Sequence, residues 1–543
     1  MIPADVYARF EPVREALNEL TRKEAVRRLF DRDTSLWGSD PQVADAIGNR
    51  LGWLDVAGGK SEWSAQLSDL ADAVRADGID HVVLAGMGGS SLAPEIFANV
   101  FSDAGSTTMT VLDSTHPRTV AERLPEDGLD STLVVVSSKS GTTAETRAFA
   151  LRAERLVPST RHLVAISDPG SNLAEEATAR GWRAVLTNPA DIGGRYSALS
   201  LFGMAPAALI GVDIDALWRS GATMSSVCGP ANAGIDNPAL RLAAYMGGLA
   251  RTGRDKLTLL TSASLGSFAD WVEQLVAEST GKQGRGIVPI VREPLGPPDV
   301  YGDDRAFVVI EHAQDPVSGV DALEAAGMPV VRIRLDDRYA IGGEFVRWEA
   351  ATALAGVLLG IDPFDQPNVA ESKQNTDAVL DEVATGTPLP EPEDGDVAEL
   401  LSSVRPGDYV SIQSYLPPDD KVWAGLTEVR LIIRDNLRVA TTAGWGPRFL
   451  HSTGQLHKGG PNSVVALQLV DVPSEDDDQP VPARDYTFGT LVRAQALGDL
   501  RSLRSHDRRV VQRRVDGPED IVRLIGDLTA VLHHPAPGTG LSR

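Results

Sequence analysis

Apolar residues recur at helical spacing among charges through residues 5–30 and 40–75, which predicts a helical lead-in. From residue 81 the period changes. HVVLAGMGG (81–89) is an unbroken apolar run that ends in glycines, and the helix-like SLAPEIFANVF follows it. TMTVLDS (108–114), TLVVVSSKSG (132–141), HLVAISD (162–168) and RAVLTN (183–188) repeat the strand signal, and TTAETRAFALRAERL reads as a helix between two of them. Strands that are apolar on both faces and alternate with helices predict a parallel sheet covered on both sides.

The scheme then begins again. PALRLAAYMGGLAR predicts a helix, KLTLLTS (256–262) a strand, DWVEQLVAEST a helix, and GIVPIV, AFVVIE (306–311) and PVVRIRL (329–335) further strands. EFVRWEAATALAGVLLG (344–360) closes the set as a helix, and TGTPLPEPEDGD (385–396), rich in Pro, Gly and acid, reads as a linker. Beyond it, short strands (RLIIRD, VVALQLV) mix with helices around an acidic loop, PSEDDDQP (473–480). The expected fold class is α/β: two domains with parallel sheets flanked by helices, at 61–225 and 226–384. A lead-in at 1–60 precedes them, and an α+β segment at 397–543 follows the linker.

Two strand-to-helix junctions in the first domain carry chemistry: GMGGSS (86–91) and SSKSGTT (137–143). In open parallel sheets ligands bind outside the carboxyl ends of the strands. A helix N-terminus there offers free N–H groups and a partial positive charge to an anion. Glycine lets the backbone approach closely, and hydroxyls add donors. Serine and threonine are also ordinary helix caps, which is the plainer reading of either loop alone. GMGGSS begins like the dinucleotide fingerprint but has Ser91 where that motif has its last glycine, and neither junction contains the GKS or GKT of a nucleoside triphosphate loop.

Charge sharpens this picture. The chain of 543 residues has a net charge of −24, which argues against nucleic acid or an anionic membrane surface as the main partner. An anionic ligand must therefore be held by a locally built site. One cysteine, Cys228, excludes an internal disulfide and fits a cytoplasmic setting. The first twenty residues carry no signal-peptide pattern. The longest apolar runs, such as 350–361, are too short to span a bilayer.

The second domain holds EQLVAESTGKQGRG (273–286), where Glu278 ends an amphipathic helix. A carboxylate facing the negative end of a helix has its pKa raised, which suits a general base. In DIGGRYSALS (191–200), Arg195 follows two glycines and could stabilise a developing oxyanion. PFDQPNVAESK (363–373) offers Gln366 and Lys373, and FLHSTGQLHKGGPN (449–462) offers His451, His457 and Lys458. The nine histidines show no metal-ligand spacing.

GMGGSSLAP, SSKSGTTAET, DIGGRYSALS, WVEQLVAESTGK and PFDQPNVAESK, in that order over residues 81–373, together resemble the phosphoglucose isomerase family. The resemblance implies two sugar-isomerase (SIS) domains around one sugar phosphate, and interconversion of glucose 6-phosphate and fructose 6-phosphate without metal or cofactor. By motif it assigns the phosphate to Ser90, Ser138, Ser140 and Thr143, with the backbone N–H of Lys139. It makes Glu278 the base between C2 and C1 and Arg195 the stabiliser of the cis-enediolate. Gly89, Gln274 and Gln366 would contact the sugar, and Lys373 would lie near the ring oxygen, although the family's usual acidic residue after the valine is Ala370 here.

The ring-opening histidine departs from the family order. The interval 279–363 offers only His312, whereas HSTGQLHKGG beyond the linker resembles the family's histidine loop. It is similar to the C-terminal part of the isomerase moiety in transaldolase–isomerase fusions. His451 fits the pattern best and His457 is the alternate. In relatives this histidine comes from the neighbouring subunit, which implies a homodimer whose histidine loop reaches a neighbouring active site. The expected partner is a small sugar phosphate. Two alternatives stand beside the isomerase: a dual phosphoglucose/phosphomannose isomerase, and a non-catalytic sugar-phosphate sensor that needs the loops but neither Glu278 nor Arg195.

Overall fold

A computed structural model describes residues 9–533. Positions 5–8 of the expected lead-in and the last ten residues lie outside that range. Within it the lead-in is helical, at Glu11–Arg22, Ala25–Phe30, Pro41–Gly48 and Ser61–Ala76.

Thirteen strands form three sheets. The first contains β1 (His81–Gly86), β2 (Thr108–Leu112), β3 (Thr132–Ser137), β4 (Leu163–Ser167) and β5 (Ala184–Thr187), in the order β2-β1-β3-β4-β5. The second contains β6 (Lys256–Thr261), β7 (Val288–Ile290), β8 (Arg305–His312) and β9 (Val330–Leu335), ordered β7-β6-β8-β9. The third contains β10 (Tyr409–Tyr415), β11 (Ala440–Trp445), β12 (Val464–Val470) and β13 (Arg509–Arg514), ordered β11-β10-β12-β13. Every named pair is parallel. Central strands such as β3 are buried at every position, as the double-sided apolar runs predict.

The C-terminal segment thus differs from the α+β expectation. It is a third parallel α/β unit that repeats the strand order of the other two. RLIIRD (430–435), expected as a strand, lies inside the helix Asp420–Leu437. Val422, Leu426, Val429 and Ile433 are buried there at helical spacing, so the longer period overrides three consecutive apolar residues.

Six helices matter below: α1 (Leu92–Val100), α2 (Ala144–Leu156), α3 (Gly266–Thr280), α4 (Pro367–Ala384), α5 (Asp420–Leu437) and α6 (Phe488–Ser505). The third unit packs on both of the others. Tyr409, Ala440, Leu456, Val464, Ala466 and Leu503 share one apolar cluster with Ala277, Val288 and Ile290 of the second unit. On the first unit, Phe488 at the start of α6 stacks on Phe149 of α2, with ring centroids 6.3 Å apart. Buried arginine reinforces the seam: Arg430 of α5 donates to the carbonyls of Val291 (2.9 Å) and Arg292 (3.1 Å). A guanidinium that satisfies buried carbonyls on another unit ties the two together, because separation would leave those groups unpaired.

Candidate active site

β1 and β3 are neighbours, yet the chain leaves them towards opposite sides of the sheet, so their carboxyl ends flank a topological switch point. GMGGSS follows β1 and SSKSGTT follows β3, which places the two loops side by side. Their helices, α1 and α2, start at Ser91 and Thr143, and neither side chain caps its own helix. The plainer capping reading therefore does not account for either hydroxyl. The Thr143 hydroxyl instead accepts from Ser138 Oγ at 3.4 Å.

Glycine at two positions is a packing requirement. A Cβ on Gly89 would lie 2.1 Å from the Gly194 carbonyl oxygen, so the first loop touches the turn that carries Arg195. Gly88 has φ +54°, and a Cβ there would meet Gln274 Nε2 at 2.7 Å and the His451 carbonyl oxygen at 2.8 Å.

These loops form one end of a cleft of about 300 Å³. It brings together every site residue expected from the sequence: Gly89, Ser90, Ser138, Lys139, Ser140 and Thr143 from the first unit, Arg195, Gln274 and Glu278 from the middle of the chain, and Gln366, Lys373 and His451. The Lys139 ammonium is already engaged by the Asp168 carboxylate and the Ala190 carbonyl, which leaves its backbone for the loop. Lys373, on α4, is exposed at the rim.

Arg195 is 2% exposed and held on all sides. Nε donates to Ser279 Oγ (2.7 Å), Nη1 to Gln366 Oε1 (2.8 Å), and Nη2 to the carbonyls of Pro363 (2.7 Å) and Asp365 (2.9 Å). Its Nη1 lies 3.7 Å from Glu278 Oε1. Glu278 sits in the last turn of α3 and accepts from Gln274 Nε2 at 3.2 Å. Burial raises the Glu278 carboxyl above the ordinary carboxylate range, against the pull of Arg195, His451 and Lys282.

His451 ends a short turn, Arg448–His451, after β11. Its Nε2 lies 2.9 Å from Glu145 Oε1, which also accepts from Gln495 Nε2 at 2.8 Å. Burial alone would raise Glu145, but the paired imidazole and the other contacts bring it net below the ordinary value. Glu145 thus stays ionised and orients the ring. It is a site residue that sequence reasoning missed, although it lies in the quoted stretch SSKSGTTAET. Gln455, outside the cleft, joins the Gly281 carbonyl (2.9 Å) to Asn368 (2.8 Å) and so ties the segment after His451 to the segments after Glu278 and Gln366.

The two other candidate histidines do not line the cleft. His457 is buried beside Tyr409 and Phe449, within 3.2 Å of Gln413 Nε2, and burial drives its pKa down to about 3. His312 ends β8 and does not line the cleft. His451 lines the cleft of its own chain, because the C-terminal unit packs on both preceding units.

Three parallel sheets wound alike, with a hydroxyl-rich loop in one cleft with a buried carboxylate and guanidinium, define a sugar-isomerase-type α/β protein. Comparison with known proteins agrees. The family model for phosphoglucose isomerase matches residues 59–288. A protein of Natronomonas pharaonis named probable glucose-6-phosphate isomerase is 31% identical over 344 residues, which span 55% of this chain and 78% of that protein. The glucose-6-phosphate isomerase of Rubrobacter xylanophilus is 27% identical over 418 residues, 64% of this chain and 96% of that protein. Among solved structures, a hypothetical protein of Thermus thermophilus superposes with a TM-score of 0.57 at 25% identity, over 70% of this chain and 99% of its own. The glucose-6-phosphate isomerase of Chlamydia trachomatis shares the fold, with a TM-score of 0.53 at 19% identity over 69% of this chain and 86% of its own. The chain belongs to the phosphoglucose isomerase family. No helix among the described residues is long and apolar enough to cross a membrane.

Proposed function

We infer that the chain is an aldose–ketose isomerase that interconverts glucose 6-phosphate and fructose 6-phosphate. The observation that carries this reading is the buried Glu278 carboxyl beside Arg195 in the same cleft as the hydroxyl-rich loops. A sensor needs the loops alone. A carboxyl of raised pKa next to a fixed guanidinium adds the means to move a proton and to hold the resulting oxyanion.

In this reading Ser90, Ser138, Ser140 and Thr143, with backbone N–H groups at the loop after β3, hold the phosphate. Binding energy from that remote group orients the reacting carbons. His451, held by Glu145, assists ring opening, with Lys373 at the rim. Glu278 takes the proton from C2, Arg195 stabilises the cis-enediolate, and the same carboxyl returns the proton to C1. Gln274 and Gln366 keep Glu278 and Arg195 in place and face the sugar hydroxyls, with Gly89 leaving room beside them.

A coupled assay of fructose 6-phosphate to glucose 6-phosphate tests the function. Turnover that rises with enzyme concentration supports it, and a folded protein without turnover on either sugar phosphate overturns it. Ser138→Ala is expected to raise KM for fructose 6-phosphate several-fold with kcat little changed, since the loop binds the non-reacting end of the substrate. A KM unaltered in steady-state kinetics would remove the loop from that role.

We further propose that one chain completes one site, because its own C-terminal unit supplies His451 to the cleft. Specific activity should then stay constant on dilution through any dimer dissociation, followed by light scattering and the coupled assay on the same samples. Activity that falls in step with the dimer fraction would return the histidine to a partner.

A further inference from the structure

A second cavity of about 360 Å³ lies on the other side of the Arg448–His451 turn, walled off from the catalytic cleft by it. It forms where the edge strands of all three sheets end: Asp113 follows β2, Arg292 follows β7 and Trp445 closes β11. Carboxyl ends of parallel strands are where open α/β sheets place ligands, and the volume lies within the range of small-molecule sites.

Its charges select among ligands. Arg448 is held by Glu95 and by Asp113 (2.9 Å), and Arg292 donates to Asp270 at 2.8 Å. Both cations are already committed, and Arg123, the third arginine of the lining, lies 3.4 Å from the Glu122 carboxylate, so each cation here has a carboxylate beside it. Glu273 of α3 also lines the cavity, and it makes no hydrogen bond or ion pair among the described residues. Trp423 and Trp445 form an aromatic wall, with ring centroids 5.7 Å apart. Arg292 lies over the Trp423 ring, 5.8 Å from its centroid, and a carboxyl without a partner in the same cavity as the two indoles suits a cation that carries an apolar body.

We propose that this cavity binds a small organic ammonium compound, its charge paired with Glu273 and its apolar part against Trp423 and Trp445. Burial, with Asp270 alongside, raises the Glu273 carboxyl to about 8, while Arg448, Arg430 and Arg292 pull it down. The carboxyl therefore carries a proton near neutral pH and must release it to pair with an ammonium. An alkylammonium keeps its own charge to about pH 10, as lysine does, so binding should tighten as pH rises from 7 to 9.

The test is isothermal titration of the full chain with cyclohexylammonium, with cyclohexanol as the uncharged isostere and with inorganic phosphate. Saturating fructose 6-phosphate keeps the catalytic cleft filled. The expected result is amine binding at least about tenfold tighter than the alcohol, weakened at least about tenfold in Glu273→Gln, the loss of one charge-assisted contact. Should that variant not fold, the wild-type pH series decides by itself: affinity rises with proton release if Glu273 is the partner. Equal binding of amine and alcohol, an affinity unchanged by Glu273→Gln, no pH dependence, no binding heat, or preference for phosphate would each overturn the proposal.

Discussion

Glu278→Gln is expected to lower kcat at least ~10²-fold, with KM for fructose 6-phosphate close to that of the wild type. The amide has the shape of the carboxyl and its oxygen can still accept from Gln274 Nε2, so the packing of α3 is preserved. It cannot take a proton from carbon. The phosphate-facing loops belong to a different unit and are untouched, which is why binding should survive. In the wild type, kcat should fall on the acid side through a pKa above 4.5, because burial raises this carboxyl and only its ionised form is a base. That limb should be absent from any residual activity of the variant. Near-normal turnover in Glu278→Gln, measured by the coupled assay, would take the residue out of the role.

Arg195→Met should cost kcat by ~10²–10³-fold, the usual consequence of removing one preorganised charge donor. It should also lower the melting temperature. Four acceptors, on Ser279, Gln366, Pro363 and Asp365, lose their donor at a buried point where the first and second units meet. Arg195→Lys is expected to recover little, since one ammonium cannot span acceptors that a planar fork reaches together. The two effects are separable by measuring kcat well below the variant's melting temperature. A stable Arg195→Met protein with kcat within about threefold of the wild type would contradict the assignment of the oxyanion to this residue.

The loops were legible in the sequence because their signal is local. GMGGSS and SSKSGTT each end an apolar run, and each has a glycine, Gly88 (φ +54°) and Gly141 (φ +67°), in the left-handed backbone that favours glycine. The helix that carries Glu278 and the turn that carries Arg195 were readable for the same reason. What was not legible depends on contacts between distant segments. Glu145 looks like an ordinary first-turn carboxylate until His451, 306 residues later, is placed against it. His451 itself was found by motif, but no spacing reveals that the third unit folds back onto its own chain. The third unit was also misjudged in class. YVSIQSY (409–415) is buried at every position although three of its seven residues are polar, and Ser411 and Gln413 face His457 rather than water. A parallel strand covered on both faces therefore need not show an unbroken apolar run.

The most direct test of the account follows the proton itself. Glucose 6-phosphate incubated with the wild-type chain in deuterium oxide, and observed by proton NMR, should convert to fructose 6-phosphate labelled at C1, and the glucose 6-phosphate formed on return should carry deuterium at C2, as the carboxyl exchanges its proton with solvent. Glu278→Gln should do neither on the same timescale. Conversion and exchange by the glutamine variant at the wild-type rate would contradict proton transfer through Glu278.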